Sequence, residues 1–272
     1  NILAIPMHVP LGLAVTALAE EGMPILAHHH DFSWERSRFE SGCAGDYLQR
    51  AFPPALSERF LHIVINSRAG KDLLERRGVP ALVIPNVFDF ENPPSAADGY
   101  GDDFRDQLGI SHDEVLILQP TRIVPRKGIE FAIELCFRLQ VRLGRKACLV
   151  VSHAAGDEGF EYLDSLIKLA AQLGVRVLWV GDRVSETRGN APSGQKRYRL
   201  WDVYPHADLV TYPSLYEGFG NALLETFYFS KPVVVNRYSV FVEDIEPHGF
   251  QVVTMDGCLV DEVVNGAARL ID

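Results

Sequence analysis

Two stretches of this sequence carry residue types that could do chemistry on a polar, phosphorylated ligand. The first is YEGFGNALLE, where Glu217 and Glu225 flank a Gly218-Phe219-Gly220-Asn221-Ala222 turn ahead of an apolar run. Two glycines let backbone approach a ligand closely, since neither carries a Cβ. A helix start at Asn221 would offer free N–H groups and a positive dipole end, suited to a phosphate or polar sugar. Two carboxylates beside an anion site are unfavourable unless they accept from donors, and sugar hydroxyls are such donors. The bland alternative is a helix capped by Asn221, with the glutamates incidental.

The second stretch is PTRIVPRKGIEFAIE, in which Arg122 and Lys127 are separated by four residues that include Pro125. A bent loop here could aim a planar guanidinium and a point-charge ammonium at one diphosphate. A basic loop at a helix start otherwise opposes the helix dipole. Arg126, the third cation, reads as solvated, and a solvated surface loop is the competing reading of the whole segment.

Both stretches follow an apolar run and precede helical periodicity, and this pattern repeats along the chain. Candidate strands lie at 24–29, 62–66, 81–85, 115–119, 147–152, 175–180, 208–212 and 232–236. Most are β-branched without polar alternation, as in strands buried on both faces of a parallel sheet. Helices are expected over about 11–21, from the cap candidate Ser67 to before Gly78, and over 129–143, 158–173 and 221–229. Residues 89–103, rich in Pro, Gly and Asp, read as a linker, and 185–197 as an inserted surface loop. The fold class is therefore α/β, with domains at 1–92 and 93–272.

The chain has 272 residues, 47% of them hydrophobic, enough to bury a sizeable core in one or two domains, and a formal net charge of -10. That charge argues against nucleic acid as a partner. No apolar stretch approaches the roughly 18 residues that span a bilayer. Four scattered cysteines suit reduced thiols in a cytoplasmic protein. In AHHHDFSWERSRF, three consecutive histidines invite a metal reading, but strand residues alternate in direction, so His28, His29 and His30 converge poorly on one ion. No metal site is expected.

Together, Arg122-x4-Lys127 and Glu217-x7-Glu225 resemble the basic pair and the E-x7-E signature of the retaining glycosyltransferases of family 4. VIPNVFDF (83–90) resembles the segment that leads into their second domain, with Val87 where glycine is usual. The resemblance implies a GT-B fold: two Rossmann-like domains facing across a cleft, an acceptor domain first and a nucleotide-sugar donor domain second. It implies that Arg122 and Lys127 neutralise the donor diphosphate, that Glu225 binds ribose hydroxyls, and that Glu217 and the backbone of Gly218 to Ala222 meet sugar and phosphate. It assigns base contacts to backbone near Gly181 to Val184, and a sugar-facing histidine to His29 or His30. Asp31, Trp34, Glu35 and Arg38 would shape the acceptor pocket.

Family members open with a strand and glycine-rich loop and close with a crossing helix, which leaves the N-terminal domain here expected to be truncated. The expected activity is metal-independent transfer of a hexose from GDP-mannose or UDP-glucose to a hydroxyl acceptor with retention. The nucleotide sugar is a substrate, and no cofactor is required. The stretch 221–250 also resembles members that glycosylate small polar acceptors such as glyceric-acid glycosides. A sugar-nucleotide epimerase on the same plan, and a truncated module that binds nucleotide without chemistry, are the alternatives.

Overall fold

The computed structural model describes residues 1–35, 39, 45–55, 58–92, 98–155 and 160–272. Two compact units emerge from the packing: residues 1–86 with 239–249, and residues 87–238 with 250–272.

In the first unit, β1 (Ile25–His29), β2 (Phe60–Val64) and β3 (Ala81–Val83) form a parallel sheet in that order. Helix α1 (Val9–Glu20) opens with His8 accepting from the Leu11 amide at 3.1 Å and carries Pro10 in its first turn, where a missing N–H costs nothing. The short α2 (Gly45–Ala51) precedes β2. Helix α3 (Ser67–Arg77) is capped by Asn66, whose side chain accepts from the Ala69 amide at 2.7 Å. The cap thus lies one residue earlier than the sequence suggests, because β2 ends at Val64 and frees Asn66. Gly78 ends the helix with φ of 68°, a conformation that glycine adopts without strain. The core gathers Ile5, Phe32, Val64, Leu73 and Val79. A single π turn at Phe241–Ile245 also belongs to this unit, and Asp244 accepts from the Ser67 amide at 2.7 Å.

The second unit is a six-stranded parallel sheet flanked by helices. In chain order it contains α4 (Phe104–Gln107), β4 (Val115–Gln119), α5 (Ile129–Leu143), β5 (Ala147–Val151), α6 (Phe160–Leu173) and β6 (Arg176–Trp179). There follow β7 (Gly189–Asn190), β8 (Lys196–Arg197), α7 (Leu200–Val203), β9 (Leu209–Tyr212), α8 (Asn221–Tyr228), β10 (Val233–Asn236), β11 (Val253–Met255) and α9 (Asp261–Ile271). Strands β4, β5, β9 and β10 are buried along their whole length, in keeping with their mainly apolar composition without polar alternation. Helix α5 buries Ile129, Ala132, Ile133, Cys136 and Leu139, a 3.6-residue stripe against the sheet.

Sheet order is β11-β10-β9-β4-β5-β6. From β4 the chain winds outward to β5 and β6, then returns to add β9, β10 and β11 on the other side. The direction of winding therefore reverses between β4 and β9, and open parallel sheets bind ligands outside the carboxyl ends of the strands at such a point.

The region 185–197 is more ordered than a plain surface loop. Strands β7 and β8 pair antiparallel, and the Tyr100 ring is approached by the Arg188 guanidinium at 4.5 Å and the Lys196 ammonium at 4.2 Å. Arg188 is also paired with Asp98 and, at 2.6 Å, with Asp202.

Candidate donor site

The two chemistry-bearing stretches are the loops that leave β4 and β9, the pair of strands at the switch point. They close on one another through backbone first. The Leu215 amide donates to the Arg126 carbonyl at 2.8 Å. Gly128, with φ of 59°, lies so near that a Cβ would sit 2.5 Å from the Pro213 carbonyl oxygen. Only glycine permits both the left-handed backbone and this approach.

Side chains complete the junction. Glu217, 6% exposed, accepts from Lys127 Nζ and from the Tyr212 hydroxyl (3.0 Å) on Oε1, and from Arg126 Nη1 on Oε2 at 3.1 Å. Arg126 also donates to the Tyr216 carbonyl at 3.0 Å. The sequence suggests a solvated Arg126; instead it is half-buried and ion-paired, because the β9 loop delivers a carboxylate to it across 91 positions.

Burial works against charge on both partners of the central pair. For Lys127 desolvation outweighs the attraction of Glu217 and holds the ammonium below the ordinary lysine range. For Glu217 desolvation pushes upward, but the charge and hydrogen bond of Lys127, a hydrogen bond from Ser214 and the charge of Arg126 prevail and keep it below the usual carboxylate range.

Arg122 is exposed and forms no ion pair among the described residues. It lies close enough to Lys127 and to His153 to press on the charge of both. His153 follows β5; its Nδ1 is hydrogen-bonded to Ser152 Oγ at 2.7 Å, and burial, then Arg122 and Lys127, lower its pKa. Sequence reasoning passes over His153. Its signal is its place just beyond the carboxyl end of β5, beside the strand that carries the basic loop.

Gly220 takes the cap position of α8 with φ of 112°, and Asn221 is the first helical residue rather than the cap. A Cβ on Gly220 would lie 2.4 Å from the Tyr238 hydroxyl, which donates to the Phe219 carbonyl at 2.9 Å. Gly218 is half-buried and Phe219 buried, with Ala222 one residue into the helix. One turn into α8, half-buried Glu225 accepts from the Tyr204 hydroxyl at 3.2 Å. Burial raises its pKa, and the hydrogen bonds from Trp201 and Tyr204 offset only part of that.

Gly181 lies beyond β6 against the loop after β5, where a Cβ would come 2.3 Å from the Ala154 amide nitrogen. Val184 is buried and bridges to Tyr198. Together they form a tight turn, with the Arg183 and Val184 amides both donating to the Val180 carbonyl.

In the first unit, His29 is 1% exposed and its Nε2 is 3.0 Å from His62 Nδ1. Burial, and then the neighbouring His62, lower the His29 pKa to about 3. His30 is exposed, on the side of the strand that His28 shares, with their ring centroids 4.8 Å apart. Asp31, Trp34 and Glu35 are half-buried at the end of this strand and in the turn after it. Arg38 lies outside the described residues. Among the described residues no group of three His, Cys, Asp or Glu side chains has metal-holding geometry, and no helix is long and apolar enough to cross a membrane.

The sequence profile of the family described as Glycosyl transferases group 1 matches residues 101–272. Mannosylglucosylglycerate synthase of Petrotoga mobilis is 34% identical over 275 residues, covering 94% of this chain and 62% of the relative. The enzyme of that name from Thermotoga maritima is 35% identical over 275 residues, covering 95% and 61%. The chain thus spans about three fifths of the length of these relatives. Among solved structures, Anabaena HepE in complex with UDP and glucose superposes with a TM-score of 0.71 at 19% identity, over 97% of this chain and 67% of that one. Sucrose-phosphate synthase of Thermosynechococcus elongatus gives 0.62 at 18%, over 95% and 61%. At these identities the structural likeness carries the fold alone, which is GT-B. By sequence profile, relatives and fold, the chain belongs to the group 1 glycosyl transferases, family 4 of the GT-B glycosyltransferases.

Proposed function

We propose that this chain carries the nucleotide-sugar donor site of a retaining hexosyltransferase that acts on a small polar glycoside. The observation that supports it best is the meeting of Arg126 and Lys127 with Glu217 at the switch point between β4 and β9, with Arg122 near enough to act on the charge of Lys127. Arg122 and Lys127 bind the donor diphosphate and stabilise the charge that develops as the bond to the anomeric carbon breaks, the task a divalent metal performs in other phosphate-handling enzymes. Glu225 receives the ribose hydroxyls, and the amides heading α8 receive sugar and phosphate oxygens. The leaving diphosphate takes the proton of the attacking acceptor hydroxyl on the same face of the sugar, so that configuration is retained.

The names of the relatives favour a mannosyl donor and a glucosylglycerate acceptor, with GDP-mannose tried first and UDP-glucose second. The decisive assay supplies each donor with glucosylglycerate and follows product and its anomeric configuration by NMR. An α-linked product supports the reading. Donor turnover without acceptor would favour an epimerase, and nucleotide binding without any turnover a binding module.

A further inference from the structure

We propose that Arg126 is a positioning residue for Glu217: it holds that carboxylate ionised and in place when Lys127 turns from Glu217 to the donor diphosphate. The inference rests on the donor-site reading above.

Glu217 is paired with two cations, Lys127 and Arg126, for a single carboxylate charge. The two cations reach different oxygens: Oε1 takes Lys127 and the Tyr212 hydroxyl, whereas Oε2 takes Arg126. Lys127 cannot serve Glu217 and a diphosphate equally, since an ammonium is a point charge on a flexible stem. When it leaves, Oε1 retains the phenol, but the carboxylate, buried and now beside a second anion, needs a cation. Arg126 is tied to the same loop by its own carbonyl, which accepts from Leu215, and by its guanidinium, which donates to the Tyr216 carbonyl. It therefore travels with Glu217 rather than with the ligand. Without Arg126, the carboxylate would have to take up a proton for Lys127 to be released.

The charged and titratable groups around this exchange are Lys127, Arg122 and Arg126 from the β4 loop, His153 beyond β5, Tyr212 on β9 and Tyr238 beyond β10. All but the altered residue are common to wild type and variant, so their own titrations cancel in a ratio of affinities.

The test measures calorimetric binding of UDP and of GDP at pH 6 and pH 8. The proteins are the wild type, Arg126→Ala, Arg126→Lys, Glu217→Gln and the double variant Arg126→Ala with Glu217→Gln. Thermal melts establish that each is folded. Arg126→Ala is expected to weaken the better nucleotide by about tenfold at pH 8, the equivalent of one pKa unit, and by clearly less at pH 6. Arg126→Lys recovers most of the loss. With Glu217→Gln present, Arg126→Ala changes affinity by less than about twofold, because no carboxylate remains to be held. An equal deficit at both pH values and in both backgrounds would overturn the inference, since Arg126 would then act on the ligand or the loop itself. An Arg126→Ala protein that binds as the wild type does would also overturn it. If the wild type binds neither nucleotide, the donor-site reading itself fails and takes this inference with it.

Discussion

Lys127 and Glu217, 90 positions apart in sequence, form a buried ion pair at the carboxyl ends of two neighbouring strands. Their contact exists because β9 returns to lie beside β4. The basic loop is thus partly neutralised by the signature glutamate.

Replacing Lys127 separates binding from stability. Glu217 keeps Arg126 and Tyr212, so Lys127→Ala should lose about 1–3 kcal/mol, less than a buried pair broken to leave a bare charge. Nucleoside diphosphate binding should fall by at least about tenfold. Denaturant melts and calorimetry on the same samples measure the two effects.

Gly220→Ala places a methyl against the Tyr238 hydroxyl at a backbone angle that L residues rarely adopt. A loss of about 2–4 kcal/mol is expected from strain and overpacking together. Measured against Tyr238→Phe alone, which bears the loss of the hydrogen bond to the Phe219 carbonyl, Gly220→Ala should cost less by the overpacking part, which denaturant midpoints resolve.

Glu225 trades stability for binding. Burial raises its pKa, so the folded state prefers the protonated form, and stability declines as pH rises from the ordinary carboxylate range through the raised value. Glu225→Gln should therefore melt above the wild type at pH 8 while binding nucleotide about tenfold more weakly, the scale of a lost charge-assisted hydrogen bond. Acidification should weaken wild-type binding at a higher pH than a free carboxylate would dictate, and the variant should lack that step.

The first unit should be acid-sensitive. His29 and His62 are buried neutral, with burial the main cause, at pKa values of about 3 and about 4 against 6.5 for an unperturbed histidine. Below pH 6.5 the unfolded chain binds protons that the folded one refuses, so stability falls with pH, reaching a slope of about 1.4 kcal/mol per pH unit for each histidine once it is fully protonated in the unfolded state. The His62 contribution levels off below about pH 4 and the His29 contribution below about pH 3. His62→Gln should flatten the melting curve against pH between 4 and 6.

Much of this architecture is legible locally. The run VLILQ and the glycine-bounded helix at 129–143 are found where the sequence puts them, since a doubly buried strand and a capped amphipathic helix are set by their own residues. Other elements depend on what they pack against. Strand β11 has three residues, and α9 carries an Asn265-Gly266 pair that argues against a helix. There Gly266 earns its place by meeting Val253, where a Cβ would come within 3.1 Å of the valine methyl. The same holds for the site. The residue types and spacings of Arg122, Lys127, Glu217 and Glu225 announce it, but the pairing of Arg126 with Glu217 arises from the order of strands, which no local window contains.

The most direct measurement is a thermal-shift titration of the chain with UDP, GDP and ADP, beside Lys127→Ala and Glu225→Ala. Linkage gives roughly 2.7 kcal/mol of stabilisation at a hundredfold excess over the dissociation constant. A shift with one nucleotide above the others, lost or much reduced in both variants, is expected. No shift with any nucleotide, or a shift that both variants retain in full, would contradict it.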